Sequence, residues 1–303
     1  MDASIGAKLV ALMLVACSRS SLPTPSPPPA RALMFGGSPA ITASPLADTW
    51  QWDGSTWTML DNGNGPSPRV GATMGSLDGR VVLFGGENAN HQTLGDTWEW
   101  DGAWHEMTVP GPPARSFAAM ATLGNVVVMS GGTSTGTDTL VDTWLWDGAK
   151  WTALDGQSPD VAVFGLATLG GVVVTLPTDG SVWTFDGHAW SQINDRLMFV
   201  PFPGPMTSTS TTLVIFGAYG SANDNSWTTT AIAGNHWTGL TNNLPTPRDS
   251  HAIASCGDSV VVFGGLDENN VTLGDTWVWT SAGWEQRVVN GPTARRAAAM
   301  SAW

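Results

Sequence analysis

Apolar residues in this chain fall into two patterns that recur together. One is a short run such as Val81-Val82-Leu83-Phe84, ended by Gly85-Gly86. A run of that length predicts a strand buried on both faces, and the paired glycines let the backbone turn where side chains would obstruct it. The other is an alternation, Asp96-Thr97-Trp98-Glu99-Trp100, in which both indoles share one face of a strand because strand side chains alternate with period two. Asp101-Gly102 follows directly, a dipeptide whose positive-φ tendency suits a tight hairpin, and Trp104 then lies on the next strand. A further strand, Arg69-Val70-Gly71-Ala72-Thr73-Met74, precedes the glycine run. The predicted unit is four antiparallel strands.

The unit repeats. Phe35-Gly36-Gly37 leads to Asp48-Thr49-Trp50-Gln51-Trp52-Asp53-Gly54 and Trp57, and Ser130-Gly131-Gly132 leads to Asp142-Thr143-Trp144-Leu145-Trp146-Asp147-Gly148 and Trp151. Phe263-Gly264-Gly265 leads to Asp275-Thr276-Trp277-Val278-Trp279 and Trp284. Two copies are eroded. One keeps Val172-Val173-Val174, has Leu176-Pro177 in place of the glycines, and continues with Trp183, Phe185-Asp186-Gly187 and Trp190. The other keeps Phe216-Gly217-Ala218, Trp227 and Trp237. All but Trp303 of the 17 tryptophans hold repeat positions.

These motifs, a double glycine closing the second strand and then spaced aromatics with a final Trp, resemble the Kelch repeat over about residues 31–303. The family's usual first aromatic is Tyr, and Trp stands in its place here. The resemblance implies an all-β fold, a β-propeller whose blades run from an innermost to an outermost strand. Six copies of about 45 residues lie near the ~50 of a Kelch unit. The first copy starts at its second strand, Ala32-Leu33-Met34-Phe35. At the other end, Pro292-Thr293-Ala294-Arg295-Arg296-Ala297-Ala298-Ala299-Met300 matches Pro66-Ser67-Pro68-Arg69-Val70-Gly71-Ala72-Thr73-Met74 in spacing. The expectation is six blades, with the C-terminal strand completing blade one and sealing the ring.

Residues 1–30 differ in composition and are read apart from the fold. Lys8 precedes the apolar run from Leu9 to Ala16, too short as a helix, at about 1.5 Å per residue, for a ~30 Å hydrocarbon core. Residues 1–16 fit a secretory signal, and Leu14-Val15-Ala16-Cys17 resembles the lipobox of bacterial lipoproteins, in which the Cys is acylated. Asp2, which offsets Lys8, departs from that pattern, and a cleaved signal with an incidental Cys is the alternative. Residues 17–30, with Pro23, Pro25 and Pro27-Pro28-Pro29, read as an extended tether. The implied protein is exported to the bacterial cell envelope, periplasmic or at the surface, and meets the membrane only through its lipid. With Cys17 in a thioether, Cys256 is left as a buried thiol without a disulfide.

Charge and composition then narrow the chemistry. With 12 Lys+Arg against 25 Asp+Glu the formal net charge is −13, which argues against a face for a phosphate backbone and so against nucleic acid as a partner. Only 12% of residues are charged and 42% are hydrophobic, so the chain is not a disordered acidic tail. His91, His105, His188, His236 and His251 are scattered singly, without metal-ligand spacing. The copper oxidases that share Kelch blades require tyrosyl ligands, and Tyr219 is the one tyrosine here. No metal or other cofactor is expected, although Asp267-Glu268-Asn269-Asn270 is oxygen-rich and reads as either calcium-binding or solvated.

In a propeller the loops leading into the innermost strands open around a central channel, the default ligand site. The first positions of those strands read Arg295, Arg69, Arg115, Asp160, Pro201 and Arg248 around the ring. Guanidinium groups match carboxylates bidentately, so Arg69, Arg115, Arg248 and Arg295, with Asp160, make a candidate anion-binding mouth. Asp48, Asp96, Asp142 and Asp275 occur in the same four copies as the arginines, and the eroded copies have Ser181 and Asn225 instead, which suggests an Arg–Asp pair repeated as scaffold. Both readings stand at this point. The apolar, Pro-rich stretch from Arg196 to Pro205 reads as a partner-binding patch or as drift. The functional expectation is a monomeric, non-catalytic module binding a protein or glycan through loops such as Glu87 to Leu94 and Asp267 to Thr272. The alternative is an exported sugar-processing enzyme using the arginine-lined mouth, because some bacterial six-bladed Kelch proteins resemble sialate mutarotases.

Overall fold

The computed structural model describes residues 30–135, 138–155, 159, 163, 165–177, 181–193, 205–216, 226–229, 238–240 and 243–303. The expected signal, Cys17, the tether up to residue 29, Asp160, residues 196–204, Tyr219, Asn225 and His236 lie outside these residues.

The Val81–Phe84 run lies in a strand, Arg80–Glu87, that pairs on one side with the innermost strand Thr73–Leu77 and on the other with Thr93–Trp100. Thr93–Trp100 pairs in turn with the outermost strand Trp104–Glu106, and every pairing is antiparallel. The described strands form six such four-stranded sheets. The fold is thus an all-β propeller with four-stranded antiparallel blades. Blade 1 joins the first and last of the described strands, Ala299–Ala302 pairing with Ala32–Phe35 so that Met300 lies opposite Met34. Blades 2 to 6 follow in chain order. Their innermost strands, Thr73–Leu77, Ala119–Leu123, Ala167–Leu169, Met206–Ser208 and Ala252–Cys256, touch one another in succession, and Ala299–Ala302 touches the last and the first.

Radial packing explains why each second strand carries an unbroken apolar run. In Ala32–Phe35, Ala32 and Met34 join a cluster with Val261 and Phe263 of blade 6, while Leu33 and Phe35 join one with Val81 and Leu83 of blade 2. Six clusters of this kind fill the six gaps between successive blades. Each fully buried Val, Leu, Phe or Met in them contributes roughly 1.5–3 kcal/mol of transfer free energy. The Asp-Gly turns form as the sequence predicts. Oδ1 of Asp53, Asp147 and Asp186 accepts the backbone N–H groups two and three residues on, and Gly54, Gly148 and Gly187 take φ of 96°, 91° and 102°.

Trp303 falls outside the tryptophan pattern but not outside the packing. Its indole N–H donates to the Gly79 carbonyl at 3.1 Å, its ring meets Trp100 edge-on with centroids 6.1 Å apart, and the Arg31 guanidinium lies 5.5 Å above it. Ala30 sits at the turn that follows the innermost strand of blade 6, where its carbonyl accepts the Cys256 thiol at 3.1 Å. Burial, assisted by the negative charge of Asp53, pushes the Cys256 thiol up to about 11, so it is an unreactive free cysteine.

Deleting residues 292–303 removes Ala299 and Met300 from the two clusters that flank blade 1 and exposes both edges of the opened ring. The shortened chain is expected to lose its cooperative thermal transition and to associate on size-exclusion chromatography. A monomer with the full-length melting temperature would show that the last strand is dispensable.

Candidate functional site

The Asp-Thr-Trp motif acts through all three of its residues. Asp96 takes Arg69 in a two-pronged bond, Nη1 to Oδ1 at 2.7 Å and Nη2 to Oδ2 at 2.8 Å, and its Oδ2 also accepts the indole N–H of Trp98 at 2.7 Å. The same geometry recurs in Arg115–Asp142, Arg248–Asp275 and Arg295–Asp48, with Nη1 to Oδ1 at 2.6, 2.5 and 2.6 Å. The indoles of Trp144, Trp277 and Trp50 complete these three. The threonine serves the next blade instead. Thr49, Thr97, Thr143 and Thr276 each accept the indole N–H of the following blade's outermost Trp, namely Trp104, Trp151, Trp190 and Trp57, at 2.8–3.0 Å.

The glycine pair belongs to the same device. Nη1 of Arg69, Arg115, Arg248 and Arg295 donates to the carbonyl of Gly85, Gly131, Gly264 and Gly36, the first glycine of its own blade, at 2.9–3.0 Å. The backbone carbonyl of Arg69, Arg115 and Arg295 in turn accepts the N–H of the second glycine of the preceding blade, Gly37, Gly86 and Gly265. A Cβ on Gly85 or Gly264 would fall 2.4 or 2.2 Å from such a carbonyl oxygen, so only glycine fits. In blade 4 the eroded copy departs from this plan. Val163 packs against Gly131, in the place that Arg69 and Arg115 take beside Gly36 and Gly85.

These bonds place the four arginines in the scaffold. Their side chains are no more than 1% exposed, and Nε of each donates to the carbonyl two residues back, at Ser67, Pro113, Thr246 and Thr293. For Arg69 and Arg295 the remaining N–H goes to Ser67 Oγ and Thr293 Oγ1. With their donors engaged inside the blades, the arginines do not form the anion-binding mouth expected as one alternative. Burial alone would raise the four aspartates. The hydrogen bonds and charge of the arginines outweigh it, together with the indole N–H, and hold Asp48, Asp96, Asp142 and Asp275 below the usual carboxylate range.

What remains at the centre is a channel of about 990 Å³ walled by the free edges of the six innermost strands. Its starting mouth is drawn together by a collar of backbone bonds that links four blades. Phe117 N–H donates to Gly71 O at 2.7 Å, Gly71 N–H to Ala297 O at 2.8 Å, and Ala297 N–H to Ser250 O at 2.6 Å. All four residues take positive φ, between 51° and 61°. At the far end hydroxyls point along the ring, Thr168 Oγ1 to Thr122 O and Thr122 Oγ1 to Ser76 O, both at 2.5 Å. Between the ends the wall is mostly small or apolar, and Asp249 and His251 are its titratable residues among those described.

Solved structures share this fold. Matches number 431 chains, among them the one described as "Structure of YjhT", with a TM-score of 0.61 and 16% identity over 79% of this chain and 91% of that one. No family model and no curated protein matches the chain. The likeness is one of fold. Many activities share propellers, so the channel's own chemistry must carry the functional argument.

Outside the channel, the loop from Glu87 to Leu94 is held by its own side chains, Asn88 Oδ1 accepting the N–H of Asn90 and Gln92, and Glu87 pairing with His91 at 2.6 Å. Asp267 does the same in the other candidate loop, accepting the N–H of Asn269 and Val271. Among the described residues no three of His, Cys, Asp and Glu gather as a metal ion would need. Phe117 has no place in the sequence reading, and His251 enters it only as one of five scattered histidines. Their signal lay in the register of the repeats, where Phe117 stands in line with Gly71, Ser250 and Ala297, and His251 with Ala72, Ala118 and Ala298.

His251 is buried against Phe216, with ring centroids 5.2 Å apart and no hydrogen bond to either ring nitrogen. Burial, helped by the nearby Arg248 charge, lowers its pKa from 6.5 to about 3. Above pH 6.5 the ring is neutral whether the chain is folded or not. As the pH falls toward 3, only the unfolded chain takes up the proton, so stability declines across that window, by roughly a few kcal/mol in all. Urea unfolding at stepped pH is expected to show this slope for the wild type, flattened in His251→Phe; an unchanged slope in the variant would place its origin elsewhere.

Arg115→Ala leaves the carbonyls of Pro113 and Gly131 without the guanidinium and Asp142 with only the Trp144 indole N–H. It is expected to cost about 3 kcal/mol by denaturant unfolding, the lower end of buried-pair losses because Asp142 is 40% exposed. Arg115→Lys should recover little, since an ammonium cannot reproduce the fork. Full stability in Arg115→Ala would remove these residues from the scaffold.

Proposed function

We propose that this chain is a six-bladed Kelch-type propeller, exported and held by a lipid on Cys17, that works as a non-catalytic binding module for a glycan or protein at the starting mouth of its channel. The Kelch assignment is supported by the double glycines, whose carbonyls and N–H groups are bound by arginines of their own and the next blade. The pairing of Ala299–Ala302 with Ala32–Phe35 supports a ring closed by the C-terminal strand. Export and lipidation rest on the lipobox-like Leu14-Val15-Ala16-Cys17.

The observation that carries the functional reading is the preformed channel of about 990 Å³, held open by a scaffold in which the charged repeat residues are bound to one another. Its wall offers strand-edge amides, hydroxyls and small apolar groups, the inventory of a recognition surface. The alternative, a sugar-processing enzyme, would have to draw its acid and base from Asp249 and from residues beyond those described, because His251 is buried and held neutral.

Intrinsic tryptophan fluorescence tests the reading directly. A ligand present at 100 times its Kd stabilises the folded state by about 2.7 kcal/mol. For a domain of this size that raises the melting temperature by roughly 5 °C or more. Such a rise is expected with at least one of a panel of neutral glycans, acidic sugars and envelope-protein fractions, with the ligand recovered chemically unchanged. Turnover of a bound sugar, followed by NMR of its anomeric protons, would replace the binding module with the enzyme.

A further inference from the structure

Phe117 is the residue around the channel that the scaffold does not explain. The collar requires positive φ at Gly71, Phe117, Ser250 and Ala297, a conformation glycine adopts freely and a bulky side chain resists. Three of the four positions carry small residues. Phe117 carries the largest, and burial does not compensate for it, because the residue is 46% exposed. An unfavourable backbone conformation kept at a bulky exposed residue in a channel mouth is grounds for looking for a function.

The neighbouring blade is shaped to receive the ring. A Cβ on Gly71 would fall 2.8, 2.9 and 3.0 Å from Cζ, Cε1 and Cε2 of Phe117, so the tip of the ring rests on the glycine backbone. Gly71 is itself bonded to Phe117 through its carbonyl and to Ala297 through its N–H, which fixes the shelf under the ring. The remainder of the ring borders the channel alongside Thr73 and Ser250. A rigid apolar plate next to hydroxyls and free strand-edge amides suits a ligand with one apolar face and a polar rim. A pyranose ring has that form, its axial C–H bonds on one face and its hydroxyls around the edge. No lysine or arginine lines the described wall, so among the described residues it holds no charged partner for a sugar carboxylate, which favours an uncharged sugar over an acidic one.

Resting on the reading of the channel as a binding site, we propose that Phe117 is the stacking platform of a subsite for neutral hexopyranose units at the starting mouth. The test uses the full chain as wild type, Phe117→Gly and Phe117→Tyr on an array of neutral and acidic oligosaccharides, followed by calorimetric titration of the strongest neutral ligand. Wild type is expected to bind neutral glycans, Phe117→Gly to bind at least tenfold more weakly, and Phe117→Tyr to remain within about threefold. Phe117→Gly should melt at or above the wild-type temperature, since glycine suits the collar, and this separates lost binding from lost fold. Undiminished glycan binding by Phe117→Gly overturns the platform and leaves the channel reading in place. Wild-type binding confined to acidic glycans also overturns it. Binding to no glycan at all overturns it too, and leaves only a protein ligand for the module.

Discussion

The fork between an arginine just before the innermost strand and an aspartate at the start of the third, present in four of the blades, is the interaction on which the rest of this molecule depends. It reaches from the innermost strand to the third and fixes the second strand between them through the first glycine's carbonyl. The arginine's own carbonyl carries the link onward to the preceding blade, so one residue serves two sheets. Twisted sheets packed face to face could slide against one another on hydrophobic contact alone, since that contact is non-directional. The fork, with the threonine-to-indole bonds beside it, supplies direction. A desolvated charge pair is usually weak support for stability, yet here each guanidinium is also bonded to two backbone carbonyls, and loss of the arginine would leave them without it.

Much of this was legible in the chain because repeats make their own control. Four copies with Arg and Asp together and two with neither pointed to a pair before any distance was known, and Asp-Gly and Gly-Gly marked turns whose positive φ the structure contains. The threonine of Asp-Thr-Trp was not legible in that way. Its partner lies in a different blade, and no spacing within one repeat reveals a contact made across an interface. Trp303 escaped for a similar reason, since its contacts with Gly79, Trp100 and Arg31 are set by where the chain ends meet. An eroded copy has lost the landmarks that set its alignment, and there Val163 is the residue that packs against Gly131.

The candidate site was the least readable part. Its wall is largely strand edge, and backbone amides have no residue code. Side chains on the innermost strands are directed mainly at neighbouring blades, as the Thr168-to-Thr122 and Thr122-to-Ser76 bonds show. Specificity in such a channel falls to the few residues at its rim that break the repeat. The charged motifs of the repeat belong to the scaffold, where charge is a structural material.

Ala30 gives the molecule a front and a back. It joins the body beside the turn after Cys256, at the finishing ends of the innermost strands, whereas the collar and Phe117 lie at their starting ends. The described chain thus enters the ring from its rear. If the preceding residues lead to a surface, the propeller stands on it like a cup on its stem, with the rim turned outward. A large ligand, even a polymer fixed to a neighbouring structure, could then reach the mouth without passing between the protein and its own support.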